Sequence, residues 1–147
     1  MNNGPAVVNS VGLSEPSSPY SLNLNETDEV QSQPINFVDQ SNVALSYYYE
    51  KKGGGESPDP GDDLLVDYYD STGTWVNLKQ HLGSSADMTT YQLVQVVLPA
   101  GAYHNSFRIR FRTTGDSGSD DWFVDDVSVT VCHRSLSRPL VSMLQYH

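Results

Sequence analysis

The segment FRIRFR, residues 107–112, alternates apolar and basic side chains without a break. Successive side chains of a β-strand point to opposite faces of the sheet, so Phe107, Ile109 and Phe111 are predicted to face inward. Arg108, Arg110 and Arg112 are then predicted to face outward. Because an apolar face must be buried against another layer of structure, this segment predicts a strand of a two-layer β fold.

Period-two stretches recur along the whole chain, whereas no stretch carries apolar residues at helical spacing over three turns. Residues 63–70 (DLLVDYYD) and 74–82 (TWVNLKQHL) flank a turn in which Gly73 can adopt a positive φ, so they predict a hairpin. Further strands are predicted at residues 20–25, at residues 30–37 with an interruption at Pro34, and at residues 43–50, 91–99 and 122–131. The sequence therefore predicts an all-β fold with two antiparallel sheets packed as a sandwich.

Composition limits both the size of the fold and its partners. The chain has 147 residues and a formal net charge of −10, which suits one domain and argues against nucleic acid and anionic membranes as partners. No apolar run is long enough for a membrane span. The single cysteine, Cys132, excludes an internal disulfide, and no Cys/His cluster suggests zinc.

Three parts of the chain are distinguished by composition. Residues 20–132 hold the predicted strand series and form the predicted sandwich module. Residues 1–19 are predicted to be a lead-in, truncated at its start. Residues 133–147 add arginines and no acid, and their apolar residues fit no strand of the series, so they are predicted to be a tail or linker.

The last predicted strand carries an unusual density of acid in the segment SDDWFVDDVSV, residues 119–129. Strict alternation places Asp125 on the same side as the valines that follow it. A carboxylate on a core face needs a partner. One candidate partner is an arginine of residues 107–112, but these arginines are predicted to face outward and therefore fit Asp126 better than Asp125. The other candidate is a calcium ion, which binds carboxylate and carbonyl oxygens. A solvated acidic surface is the alternative.

Exposed rings are candidates for contacts with sugars. Tyr48, Tyr69 and Trp75 are the predicted ligand-binding residues, because aromatic faces pack against the apolar faces of sugar rings. Exposed coplanar rings would favour this interpretation, whereas packing within the sheets is the alternative. Acidic residues 62, 63, 67 and 70 suggest a glycosidase pair, but their spacing singles out no pair, so no catalytic residue is predicted.

The ordered set of motifs resembles the jelly-roll modules of the MAM and reelin-repeat type and their bacterial extracellular relatives. The resemblance is carried by LSYYYEKKGGG (45–55), VDYYDSTGTW (66–75), LP (98–99), IRFR (109–112) and DDWFVDDVSV (120–129). The lone Cys132 departs from the cysteine pairs of MAM domains and points to the cysteine-poor bacterial group.

This resemblance implies a jelly-roll β-sandwich that is a non-catalytic part of a larger secreted or surface protein. Such modules are expected to mediate adhesion through other extracellular protein domains, with a glycan-binding module of a secreted hydrolase or a structural spacer as alternatives. Many of them hold a structural calcium ion between the start of the chain and the last strand. Carried over to this sequence, the resemblance implies Asp125, Asp126 and Asp28 as metal ligands.

Overall fold

The computed structural model describes residues 6–132 and the backbone of residues 141–146. The strands are β1 (Val7–Asn9), β2 (Ser21–Leu24), β3 (Glu29–Gln31), β4 (Val43–Lys51), β5 (Leu64–Tyr69), β6 (Trp75–His81), β7 (Gln92–Val97), β8 (Ile109–Thr113), β9 (Trp122–Val131) and β10 (Val141–Tyr146), with one 3₁₀ turn at Ala100–Ala102.

Two antiparallel sheets form the predicted jelly-roll β-sandwich. The six-stranded sheet has the order β1-β2-β9-β4-β7, with β10 also paired to β9, and the four-stranded sheet has the order β3-β8-β5-β6. The inner faces of both sheets form one apolar core. Its largest fully buried side chains include Trp122, Tyr47 and Phe107. Burial of this apolar surface is the main stabilising contribution to the fold.

Two local predictions are confirmed. In β8 and the residue pair before it, Phe107, Ile109 and Phe111 are buried, whereas the alternate arginines are partly exposed on the outer face. β5 and β6 form the predicted hairpin, in which Gly73 has a φ of +81°. Asp70 stabilises the turn because its Oδ1 accepts hydrogen bonds from the backbone N–H groups of residues 72 and 74 at 2.9 and 3.0 Å.

Strand bounds differ from the prediction at residues 30–37. β3 covers only Glu29–Gln31, and beyond Pro34 a single bridge joins Ile35 to Phe107. Proline cannot donate a hydrogen bond to the ladder, which explains the early end of the strand.

Both ends of the chain add strands to the six-stranded sheet. β1 lies within the predicted lead-in and pairs with β2, and β10 lies within the predicted tail and pairs with β9. Part of the predicted tail therefore forms a strand beside β9, which the sequence pattern did not predict. The domain boundaries at residues 20 and 132 stay a prediction.

A β-bulge changes the orientation of the side chains in the middle of β9. Ser46 of β4 lies opposite Ser128, but Tyr48 lies opposite Asp125, so β9 carries one extra residue here. Asp126 adopts a φ of +47° at this point. A bulge interrupts strict alternation.

The bulge places Asp125 on the outer face of the sheet. Trp122 and Val124 face the core before the bulge, and Val127 faces it again afterwards. The prediction that Asp125 shares a face with the valines is therefore wrong, because alternation was assumed to continue through residues 125 and 126.

Candidate functional site

The outer face of the four-stranded sheet carries a group of aromatic, basic and amide side chains. Alternation along β5, β6 and β8 directs these side chains away from the core. We call this surface the arginine–aromatic face, and it consists of Asp67, Tyr69, Trp75, Asn77, Arg108, Arg110 and Arg112.

Two of the three predicted ligand-binding rings meet on this face. Tyr69 and Trp75 are direct cross-strand partners, with ring centroids 5.3 Å apart and planes inclined by 62°. The pair is therefore not coplanar and forms a corner rather than a flat platform. Both residues are partly exposed, so their rings are accessible in part to a ligand.

Arginines lie against both rings. The guanidinium of Arg108 is 4.4 Å from the centroid of Tyr69 and 5.5 Å from that of Trp75, and the guanidinium of Arg110 is 4.3 Å from that of Trp75. These distances are typical of cation–π contacts. The sequence predicted that the arginines face outward but did not predict their contacts with these rings.

A buried carboxylate holds part of this face in place. Oδ2 of Asp67 accepts hydrogen bonds from Arg110 and Arg112, each at 2.7 Å, and Oδ1 accepts one from Asn77 at 3.0 Å. Burial opposes the ionisation of Asp67, but the hydrogen bonds from Arg112, Asn77 and Arg110 outweigh it and lower the pKa of this carboxyl.

The proposed fit between the arginines and Asp126 is wrong. β8 and β9 belong to different sheets. The outer faces of the two sheets point in opposite directions, so the arginines cannot reach Asp126. Arg110 and Arg112 instead form ion pairs with Asp67, which lies on their own sheet.

Tyr48 lies apart from the other two predicted rings. It is on the outer face of the six-stranded sheet, opposite Asp125 and Leu93. The structure therefore brings together Tyr69 and Trp75 but not Tyr48.

The outer face of the six-stranded sheet is crossed by residues 11–19, which we call the N-terminal strap. Its Leu13 N–H donates to Oε1 of Glu50 at 2.7 Å, and its Ser17 N–H donates to Oδ2 of Asp125 at 2.8 Å. The Ser17 hydroxyl also hydrogen-bonds Asp126. The strap therefore covers part of this face and binds its carboxylates.

Acidic side chains crowd together beneath the strap. Glu50 is fully buried, and among the described residues neither its Oε2 nor Oε1 of Glu15 has a hydrogen-bond partner. Burial raises the pKa of Glu50; the hydrogen bond from Leu13 opposes this shift, and the negative charge of Glu15 adds to it. An ionised group that is buried in this way is costly without a compensating charge.

Asp125 belongs to the same acidic neighbourhood. Burial raises the pKa of Tyr91, a hydrogen bond with Ser21 opposes the shift, and the charges of Glu50, Glu15 and Asp125 add to it. The negative charges of these three carboxylates therefore all act on the Tyr91 hydroxyl. Glu15 and Glu50 were not predicted, because neither lies in a sequence pattern that indicates a ligand.

The predicted metal ligand Asp28 lies in the turn between β2 and β3. Its Oδ2 accepts a hydrogen bond from Asn25 N–H at 3.1 Å, and its carbonyl accepts one from Thr113. These contacts explain its burial within the turn. Its role as a metal ligand stays a prediction.

A second acidic group lies among the loops before β5 and β9. Carboxylate oxygens of Asp59, Asp62 and Asp120 lie within 4.8 Å of one another. Desolvation and the charges of Asp120, Asp116 and Asp59 raise the pKa of Asp62. Asp120 is buried and accepts hydrogen bonds from the N–H and hydroxyl groups of Ser117, so it has a structural function in its loop.

A cleft of about 520 Å³ opens between the two sheets beside β2 and β3. Its wall is largely apolar, with Leu22 and Val124 from one sheet and Ile109 and Phe111 from the other. Ser17, Asp125 and Asp126 add polar groups at its edge.

In the part of the chain that the structure describes, no helix has the length and apolar character that a membrane span requires.

Known structures share this fold. A family 16 carbohydrate-binding module matches with a TM-score of 0.52 and 16% identity, over 84% of this chain and 85% of its own. The K2 cleaved adhesin domain of Lys-gingipain matches with a TM-score of 0.57 and 15% identity, over 86% and 83%. The TmCBM61 module in complex with β-1,4-galactotriose matches with a TM-score of 0.50 and 11% identity, over 79% and 73%.

At these identities the similarity shows the fold alone. No protein-family model matches the sequence, and no curated protein is similar to it at a significant level.

Proposed function

We propose that this chain is a non-catalytic extracellular module that binds carbohydrate through the arginine–aromatic face. The observation that carries the proposal is the pairing of the partly exposed rings of Tyr69 and Trp75 among guanidinium, amide and carboxylate groups on one sheet face. Rings of this kind pack against the apolar faces of sugars, while neighbouring polar groups hydrogen-bond the hydroxyls. The solved modules of the same fold, one of them with a bound galactotriose, support this choice.

Three of the four acids that suggest a glycosidase pair in the sequence, Asp63, Asp67 and Asp70, have other partners. A catalytic acid needs a raised pKa, whereas that of Asp67 is lowered. Asp63 accepts hydrogen bonds from Gln80 and Gly83, and Asp70 stabilises the hairpin turn. The contacts of Asp63, Asp67 and Asp70 hold the sheet and its loops in place, which supports a binding function rather than catalysis. The fourth acid, Asp62, has a raised pKa, so only the other three support this conclusion.

The test measures binding to a panel of immobilised plant and bacterial polysaccharides by affinity electrophoresis. We expect at least one polysaccharide to retard the protein. Trp75→Ala should weaken this binding about 5- to 30-fold, since the lost contact contributes about 1–2 kcal/mol. Tyr48→Ala is the matched control, because it removes a partly exposed ring from the opposite face.

Three outcomes decide between the alternatives. Weaker binding in Tyr48→Ala with normal binding in Trp75→Ala would move the site to the six-stranded sheet. Binding to no polysaccharide would contradict the proposal. A Trp75-dependent complex with an extracellular protein domain would then favour the adhesion function that the sequence resemblance implies.

We also propose that a calcium ion binds beneath the N-terminal strap. The candidate ligands are Glu15 and Glu50, each with one buried oxygen that has no partner among the described residues, and Asp125, because calcium takes carboxylate oxygens. Their ligand oxygens do not all lie within 4.8 Å of one another, as those of Asp59, Asp62 and Asp120 do, so the ion would have to draw them together. The ion would neutralise the buried charge of Glu50 and fasten the strap to the sheet. Of the predicted ligands, Asp125 is retained. Asp126 hydrogen-bonds the Ser17 hydroxyl and Asp28 accepts a hydrogen bond from Asn25 N–H, and their roles as metal ligands stay predictions.

The test compares thermal unfolding with calcium and with a chelator. Calcium at about 100 times its Kd contributes about 2.7 kcal/mol, which raises the Tm of a domain of this size by about 5–10 °C. We expect Asp125→Ala and Glu50→Gln to abolish the shift and Asp62→Asn to retain it.

The stability of Glu50→Gln in chelator provides a second test. Because it removes an uncompensated buried charge, this variant is expected to be more stable than the parent protein in chelator. Loss of the calcium shift in Asp62→Asn but not in Glu50→Gln would place the ion among Asp59, Asp62 and Asp120. An unchanged Tm in all proteins would contradict calcium binding.

A further inference from the structure

The arginine–aromatic face has the opposite charge to the chain as a whole. The chain carries a net charge of −10, yet Arg108, Arg110 and Arg112 lie side by side on this face. The carboxylate of Asp67 binds both Arg110 and Arg112, and Glu29 lies 3.4 Å from Arg110. These two carboxylates leave an excess of one positive charge.

That excess resides on Arg108. Among the described residues no carboxylate forms an ion pair with it, and its hydrogen bond to Gln31 is long, at 3.4 Å. Its Nε is buried and has no hydrogen-bond partner in the same part of the chain. A guanidinium has five N–H donors in a planar fork, and Gln31 is the one acceptor among the described residues that hydrogen-bonds the guanidinium of Arg108.

The two rings fix the position of this unpaired cation. The guanidinium of Arg108 lies over Tyr69 and close to Trp75. An arginine that is held in this way loses little freedom when it binds, and its fork matches the two oxygens of a carboxylate. The same rings are those to which the proposed function assigns the sugar contact.

We propose that the face selects an acidic polysaccharide, in which Arg108 binds the carboxylate of a sugar acid. The inference rests on the proposed carbohydrate-binding function. The carboxylate accepts hydrogen bonds from the terminal N–H groups of Arg108, and the sugar ring packs beside Tyr69 and Trp75. A nucleic acid fits less well, because its dense phosphate charge would meet one unpaired cation on a strongly acidic protein.

The test uses polygalacturonate, alginate and hyaluronate, each compared with a carboxyl-reduced sample of the same polymer. Binding to at least one acidic polymer is expected to fall about 10- to 100-fold on carboxyl reduction, the range for loss of a charge-assisted hydrogen-bonded pair. Arg108→Gln should cause a similar loss for the acidic polymer and little change for the reduced one.

Two further variants separate a specific contact from general attraction. Arg108→Lys keeps the charge but not the fork, so it should recover only part of the affinity. Lys79→Gln removes the same charge from an exposed position on β6 and should leave the affinity unchanged.

Three other outcomes would refute the selection of acidic polysaccharides, and they differ in what they imply for the proposed carbohydrate-binding function. Trp75-dependent binding that is equal for acidic and reduced polymers would leave the carbohydrate function in place and refute acid selection. Equal losses in Arg108→Gln and Lys79→Gln, or equally tight binding to duplex DNA, would indicate non-specific attraction. Binding to none of the polymers, charged or neutral, would refute both proposals.

Discussion

Acidification is expected to destabilise the sandwich through His81 at the end of β6. His81 is 7% exposed, its Nε2 lies 2.8 Å from the hydroxyl of Tyr47, and its ring stacks on Tyr49 with centroids 3.8 Å apart. Burial, with a smaller contribution from the charge of Lys79, lowers the pKa of His81 to about 4. The native state therefore keeps this imidazole neutral at pH values where an exposed histidine is protonated.

The lowered pKa of His81 determines the sign and the size of the change in unfolding free energy with pH. An unfolded histidine has a pKa of about 6.5, so between that value and about 4 the unfolded state binds the proton and the folded state does not. The stabilising contribution is complete above pH 6.5 and is lost as the pH falls towards 4. Each pH unit in this window costs about 1.4 kcal/mol, which gives about 3 kcal/mol in total.

Urea unfolding measures this contribution through the fluorescence of Trp75 and Trp122. Carboxylates also titrate in this range, so His81→Gln is the reference that removes only the histidine. We expect the parent protein to lose about 2–3 kcal/mol relative to His81→Gln between pH 7 and pH 4.5. A difference between the two proteins that does not change with pH would refute the assignment of a neutral, buried His81.

Two substitutions test other parts of the framework by urea unfolding at pH 7. Asp67→Asn removes the carboxylate shared by two arginines and should cost about 3 kcal/mol, whereas Glu29→Gln at the exposed pair should cost less than about 1 kcal/mol; equal costs would contradict the structural importance of Asp67. Asp126→Val places a β-branched residue at a φ of +47° and should cost about 1–2 kcal/mol. Asp126→Gly avoids that strain, so an equal loss in both variants would show that the side chain rather than the backbone matters.

Local periodicity predicted the parts of the fold that depend on neighbouring residues. The alternation of residues 107–112 and the turn at Gly73 are both confirmed. In each case the information lies within a few residues, because a strand repeats every two residues and a tight turn needs a residue that tolerates positive φ. Tyr69 and Trp75 could therefore be placed together from the hairpin alone.

The orientation of Asp125 could not be obtained in the same way. It depends on the extra residue that β9 carries opposite β4, and these strands lie far apart in the sequence. The same limit applies to Glu15 and Glu50, which meet only because the N-terminal strap folds back across β4. Their chemistry arises from tertiary contact, which spacing does not encode.

For the arginines of β8, the sequence predicts which face of the sheet the side chains occupy but not which carboxylate they bind. Alternation placed Arg110 and Arg112 on the outer face, yet their carboxylate partner was sought on the last strand. The carboxylate partner depends on which strand lies beside β8. That neighbour is β5, in which Asp67 lies directly opposite Arg110. Sheet order was therefore the missing information.

The two outer faces of the sandwich differ in what they can bind. On the six-stranded sheet the N-terminal strap crosses β4 and β9 and occupies Glu50 and Asp125, so an extended polymer would have to displace it. On the four-stranded sheet, no segment within residues 6–132 crosses the rings of Tyr69 and Trp75 in this way, and both residues are partly exposed. A covered face with buried acid favours a structural cation, and an open face with an unpaired guanidinium favours an anionic ligand. Because the two faces are separate, we predict that removal of the proposed calcium ion loosens the strap without changing the arginine–aromatic face. The proposed polymer affinity and the proposed calcium dependence should therefore respond to different substitutions.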